Sequence, residues 1–140
     1  MDSRLGHVPM VFEPNRGQAE DDVSFVSRGN GFTVLIGSNK TSLVVSPSVD
    51  AADQRKHQPS VLTLELVRSN KESIPSGLDQ LPGKSNYFIG KQSANWITGI
   101  PQYGRVAFNS VYNGIDLVYY GNDGQLECDF VLSPGRIRGR

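Results

Sequence analysis

The 140-residue chain has one cysteine, Cys128, so no intrachain disulfide can staple it. It has two histidines, His7 and His57, both in stretches that read as loops, and with Cys128 they form no zinc-ligand spacing. Charge of either sign is not in excess: Lys plus Arg is 14 and Asp plus Glu is 14. That balance removes any general attraction to nucleic acid or to an anionic membrane. No apolar run approaches the roughly 18 residues that would mark a membrane-spanning helix. The first residues carry neither the basic stretch nor the apolar stretch of a signal peptide. A cytoplasmic protein, a mature or cloned segment, and a truncated gene model each account for that start. Catalytic signatures are scarce too. No Gly-x-Ser-x-Gly elbow occurs. Gly83-Lys84-Ser85 resembles the end of a phosphate-binding loop, but Leu78 stands where that pattern needs glycine. The residues after it, Asn86 to Ile89, look like strand rather than the helix such a loop requires. No cofactor is expected.

What is present is β-sheet patterning. The 15 glycines and 8 prolines punctuate short runs of β-branched and aromatic residues. Val8 to Phe12 reads as a short edge strand, and Glu13-Pro14-Asn15-Arg16-Gly17 as a turn. Candidate strands follow at Val23 to Ser27, Phe32 to Ile36 and Thr41 to Ser46. Residues 47–60 read as a surface loop. Val61 to Arg68 alternates most clearly, with Leu62, Leu64 and Leu66 on a face expected to pack. Residues 69–85 read as a long polar connection, and Ser93 to Trp96 as a single helical turn. Further strands are expected at Asn86 to Ile89, 103–108, Ile115 to Tyr120 and Leu126 to Leu132. One all-β domain results, mostly antiparallel and sandwich-like, with short loops and little helix.

The last two strands carry the most specific expectation. Asp123-Gly124 suits a two-residue hairpin turn. It would set Tyr119 opposite Cys128 and Val118 opposite Asp129. Ile115, Leu117, Tyr119, Leu126, Cys128 and Phe130 then share an inward face. Asp116, Glu127 and Asp129 share the other face, with Val118 and Tyr120. Converging carboxylates are the chemistry of calcium binding, and a spaced pair is that of glycoside hydrolysis. The simpler expectation is that these three acids stabilise the hairpin and its turns, with Arg105 and Lys91 as candidate ion-pair partners. Whether a metal binds is left open. Most aromatic residues after residue 85 should complete the core. Trp96, Tyr103 and Tyr120 are the candidates for an exposed set that stacks on a sugar or anchors a partner.

Three motifs carry a family resemblance. They are Phe12 to Gln18 (FEPNRGQ), Leu81 to Gly90 (LPGKSNYFIG) followed by Trp96, and Tyr103 to Val106 leading into Val111 to Gly121 and Gln125 to Phe130. In this order they resemble an uncharacterised β-rich domain near the N-terminus of bacterial surface or exported proteins. Those proteins often carry seven-bladed β-propeller-type repeats, and related ones end in gliding-motility-type sorting domains. The resemblance implies a non-catalytic structural or interaction module of a larger extracellular or cell-surface protein. Its expected partners are adjacent repeat domains or other surface proteins, with a glycan as the alternative ligand and neither nucleic acid nor membrane insertion. Cys128 stands where the family pattern is usually aromatic. The ending, Arg136 to Arg140, is abrupt against that pattern and reads as a fragment cut at its C-terminus.

Overall fold

The computed structural model describes residues 9–46 and 60–132. The surface loop expected over residues 47–60 therefore lies almost wholly outside the described residues, as does the arginine-rich ending. Nine strands form among the described residues: β1 (Phe12–Pro14), β2 (Phe25–Arg28), β3 (Phe32–Ile36), β4 (Lys40–Val45), β5 (Ser60–Glu65), β6 (Pro75–Tyr87), β7 (Ile97–Tyr112), β8 (Ile115–Asn122) and β9 (Gln125–Leu132). One 3₁₀ turn, Ser93–Asn95, is the only helical element among the described residues. No helix there is long and apolar enough to cross a membrane. Every strand pairing among the described residues is antiparallel.

The sheet runs β5-β4-β3-β2-β1-β7-β8-β9, with β6 pairing to β7 off this path. Strand β7 is the spine. Its residue Tyr103 pairs with Phe12 of β1, while Arg105 to Tyr112 pair with β8. The β1–β5 arm and the β8–β9 arm therefore both start from β7. They curl toward each other into an all-β half-barrel. A buried hydrogen bond joins the arms, with the Thr41 hydroxyl on β4 donating to the Tyr119 hydroxyl on β8 at 2.8 Å. The core between them holds Phe12, Phe25, Val34, Ile36, Val106, Phe108, Val111, Leu117 and Tyr119. Phe108 and Tyr119 meet edge to face at 6.2 Å, the arrangement favoured by the aromatic quadrupole.

The final hairpin follows its turn chemistry. Asp123 and Gly124 both take positive φ, 52° and 78°, as a two-residue turn of the I′ kind requires. Tyr119 opposes Cys128 and Val118 opposes Asp129, the register expected from sequence.

Other expectations need correction. The stretch taken as a connection contains most of β6, a 13-residue strand. Pro75, Gly77, Pro82 and Gly83 argue against an interior strand. β6 pairs only with β7, however, and an edge strand tolerates proline because one side of its backbone needs no partner. An irregularity between Leu81 and Lys84 also breaks its alternation. Tyr103 lies over Gly77 so closely that a Cβ there would stand 2.4 Å from the ring. The glycine is thus a receptor for an aromatic side chain rather than a turn. At the N-terminal end, strand begins at Phe12 and includes Glu13 and Pro14, which had read as turn. Strand β5 ends at Glu65, short of the Arg68 expected.

Candidate functional site

Two surfaces stand out, and neither is the one the sequence nominated. The first is an apolar groove between the arms, of about 230 Å³. Leu43, Leu62 and Leu64 line one wall, and Tyr119, Leu126 and Cys128 the other. All six residues of β5 are exposed, although Leu62 and Leu64 carry the predicted packing face. Leu62 is 63% exposed and Phe130, on β9, is 55% exposed. Only Leu66, just past β5, packs against the core. The inward face of the last hairpin is likewise buried along β8, at Leu117 and Tyr119, and uncovered along much of β9. Cys128 lies on that face but is exposed, because the groove over it is open; it is not the buried core residue expected. Burial of its flank still pushes the thiol pKa up, with Asp129 adding to the effect.

The second surface is a cleft of about 360 Å³ where the end of β6 passes β1 and β2. Its lining is Val11, Glu13, Arg28, Ser85, Asn86 and Tyr87. Glu13 is buried and Arg28 is exposed. The Tyr87 hydroxyl donates to Glu13 Oε1 and accepts from Arg28 Nε at 3.1 Å. The Arg28 guanidinium carbon lies 5.3 Å from the centre of the Tyr87 ring, within cation–π range.

The loop after Glu13 explains the FEPNRGQ motif in structural terms. The Asn15 amide donates to the carbonyls of Ala19, Glu20 and Val23, at 3.2, 2.7 and 2.8 Å. Its Oδ1 accepts from the backbone N–H groups of Gly17 and Ala19. Gly17 takes φ 114°, a conformation glycine adopts without Cβ strain. Gln18 donates to the Pro14 carbonyl and, at 3.4 Å, to Glu13 Oε1. Most of the motif therefore builds one loop, and only Glu13 carries it into the cleft. Sequence spacing could not reveal that meeting, because Glu13 and Tyr87 lie 74 residues apart.

The sequence-nominated residues do not converge. Tyr103 is half-buried over Gly77 and meets Phe25 edge to face at 6.3 Å, so it serves the core. Trp96 is 40% exposed, stands edge-on to Phe88 at 5.1 Å, and donates from Nε1 to the Gly90 carbonyl. Tyr120 donates to Asp129 Oδ1 at 3.3 Å. Its pKa is pushed up to about 12, chiefly by hydrogen bonding to Glu127, then by desolvation and by Asp129.

The acids separate as well. Asp116 Oδ1 accepts from the Ser110 backbone N–H at 2.7 Å, across the irregularity in β7 where Ser110 takes φ 54°. Glu127 accepts from Asn122 at 3.4 Å. Arg105 is not their partner: its Nε lies 2.6 Å from Asp79 Oδ2, and this contact lowers the Asp79 pKa. Among the described residues, no three His, Cys, Asp or Glu side chains are grouped to hold a metal ion.

A family model described as a domain of unknown function, DUF7948, matches residues 12–137. The chain belongs to the DUF7948 family. Comparisons with curated proteins and with solved structures found no match. The matched span opens at Phe12 and takes in both walls of the groove and nearly all of the cleft, so both surfaces are parts of the DUF7948 domain itself.

Two phenols, buried Tyr119 and half-buried Tyr87, give this domain a pH signature. Tyr119 has its pKa raised by burial, opposed by its bond with Thr41 and aided by Cys128. Tyr87 is raised by burial first and by its bond to Glu13 next. Each is raised in the folded state above an ordinary value of 10.0. Their contribution to stability is therefore complete below about pH 10 and is lost as pH rises through the folded values. Denaturant midpoints should fall over that alkaline window, with phenolate absorbance rising as the chain unfolds. The Tyr119→Phe variant should show a shallower alkaline fall. An identical slope in variant and wild type would contradict the assignment.

Proposed function

We propose that the domain is a non-catalytic interaction module of a larger extracellular or cell-surface protein, docking through the open groove against an adjacent repeat domain or another surface protein. The observation that carries this reading is the uncovered apolar surface of β5 and distal β9: Val61, Leu62, Leu64, Phe130, Val131 and Leu132 are all exposed. Exposed edge strands with apolar faces favour further pairing or docking, and proteins that leave such edges free usually protect them with charge. The resemblance to surface proteins carrying propeller-type repeats supplies the kind of partner. The test is hydrogen exchange on the isolated domain and on the protein recovered from its source. Amides of β5 and β9 should be protected in the recovered protein and fast in the isolated domain. Leu62→Lys with Leu64→Lys, both at exposed sites, should leave the fold intact and abolish the added protection. Equal exchange in both preparations would defeat the reading.

Glycan recognition through exposed aromatics is the second reading, and the exposed Trp96–Phe88 pair is what favours it. Glycan-array binding that is lost in Trp96→Ala or Tyr120→Ala, with the fold retained, would support it. Tyr103 no longer belongs with these candidates, since its ring is taken up by Gly77 and Phe25.

A further inference from the structure

We propose that the cleft formed by Val11, Glu13, Arg28, Ser85, Asn86 and Tyr87, a mostly apolar surface with polar groups set into it, is a saccharide subsite for one neutral hexopyranose unit. It shares a ligand class with the second reading above but uses different residues, so the two fail separately.

The polar groups of the cleft use only part of their hydrogen-bonding capacity. Tyr87 is fully engaged between Glu13 and Arg28. Glu13 uses Oε1 alone, for Tyr87 and Gln18, and Oε2 has no partner among the described residues. Arg28 uses Nε, and its two terminal amino groups have no hydrogen-bond partner there. Asn86 uses Oδ1 to accept from the Gly99 N–H at 2.9 Å, which leaves its NH₂ group. Ser85 Oγ accepts from Gln102 at 2.9 Å, which leaves its hydroxyl proton. The cleft therefore offers spare donors of three kinds and one spare charged acceptor.

That combination selects a ligand chemistry. Glu13 and Arg28 carry opposite charges, so an ionic ligand gains little net attraction. A hydroxyl both donates and accepts. Neighbouring sugar hydroxyls can donate to the carboxylate and accept from the guanidinium, and bonds to charged groups are the stronger kind. Chains of this sort also polarise one another favourably. Val11 supplies an apolar contact for the C–H face of the ring. The volume lies at the low end for small-molecule sites, which suits one sugar unit rather than a long segment. Arg28 is held by both the Tyr87 hydroxyl and the Tyr87 ring, so less side-chain freedom is lost on binding.

The experiment is a heteronuclear NMR titration of the intact chain with methyl glucoside, methyl galactoside and methyl mannoside, and separately with sodium glucuronate and sodium acetate. At least one methyl glycoside should shift Val11, Arg28, Ser85 and Asn86 at millimolar concentration. Binding should weaken about tenfold or more in Arg28→Ala, through loss of a charged hydrogen-bond donor. Asn86→Asp should weaken it similarly while keeping the oxygen that accepts from Gly99. Trp96→Ala should bind normally. On the wild type, three outcomes overturn the proposal: no shift with any methyl glycoside, shifts confined to Phe88 and Trp96, or binding of acetate and glucuronate without the neutral sugars. Loss of binding in Trp96→Ala with both cleft variants unaffected would place the sugar at the aromatic pair instead.

Discussion

Replacing Phe12 with alanine is expected to cost about 3–5 kcal/mol, the range for deleting a fully buried phenylalanine side chain. Phe12 is 0% exposed and sits at the joint of the half-barrel. It opposes Ser27 on β2 and Tyr103 on β7, so one residue links the β1–β5 arm to the spine. Its ring belongs to the cluster that includes Phe25, Val34, Val106 and Phe108. A cavity there would open between elements held to each other by short pairing, since β1 itself has only three residues. Domains of this kind are stable by about 5–15 kcal/mol, so the variant should retain a small margin or none. Urea unfolding followed by fluorescence measures it. Leu62→Ala is the control, because an exposed side chain away from special features changes stability by only about 0.5 kcal/mol. Equal losses in the two variants would mean that the joint does not bear on stability as argued.

The last hairpin was legible from sequence, and β6 was not. Asp123-Gly124 imposes a turn, the turn imposes a register, and side-chain parity then follows for every residue to Leu132. No such local rule exists for β6. Its pairing depends on being an edge, on a ring from β7 filling the space over Gly77, and on an irregularity that restarts the register. These are tertiary facts. Strand β5 shows a different limit. Its alternation correctly marks a strand with one apolar face, but alternation records only that a face is suited to burial. What covers the face is decided by other elements, and none of the described ones covers Leu62.

The site obeys the same distinction. Asp116, Glu127 and Asp129 share a sheet face as parity requires, yet Asp116 is drawn to a backbone N–H of the irregularity in β7 while the other two flank Tyr120. Sharing a face sets direction and leaves convergence undetermined. Glu-Pro-Asn-Arg-Gly has turn composition, which assigns Glu13 to a turn. The turn does exist, two residues later, organised by Asn15. That two-residue displacement places Glu13 in a strand, where its side chain meets Tyr87.

Tyr87→Phe tests that meeting and should be the second most damaging of these substitutions, at about 1.5–3 kcal/mol. The change removes a single oxygen and leaves the ring. Its cost comes from Glu13, a carboxyl group only 5% exposed that would lose the hydroxyl serving it. Gln18 remains as a donor, but only at 3.4 Å. Glu13→Gln in the Tyr87→Phe background should recover part of the loss, because a neutral amide is far less costly to bury without its partner than a carboxylate. Glu13→Gln alone should cost less than Tyr87→Phe alone, since an amide oxygen still accepts from Tyr87. The double-mutant cycle should therefore be strongly non-additive, with the pair coupled by about 1 kcal/mol or more. Additive losses would show that the two side chains are merely neighbours. In that case Arg28 would have no fixed hydroxyl to hold it, and the preorganisation argued for the saccharide subsite would fall with the pair.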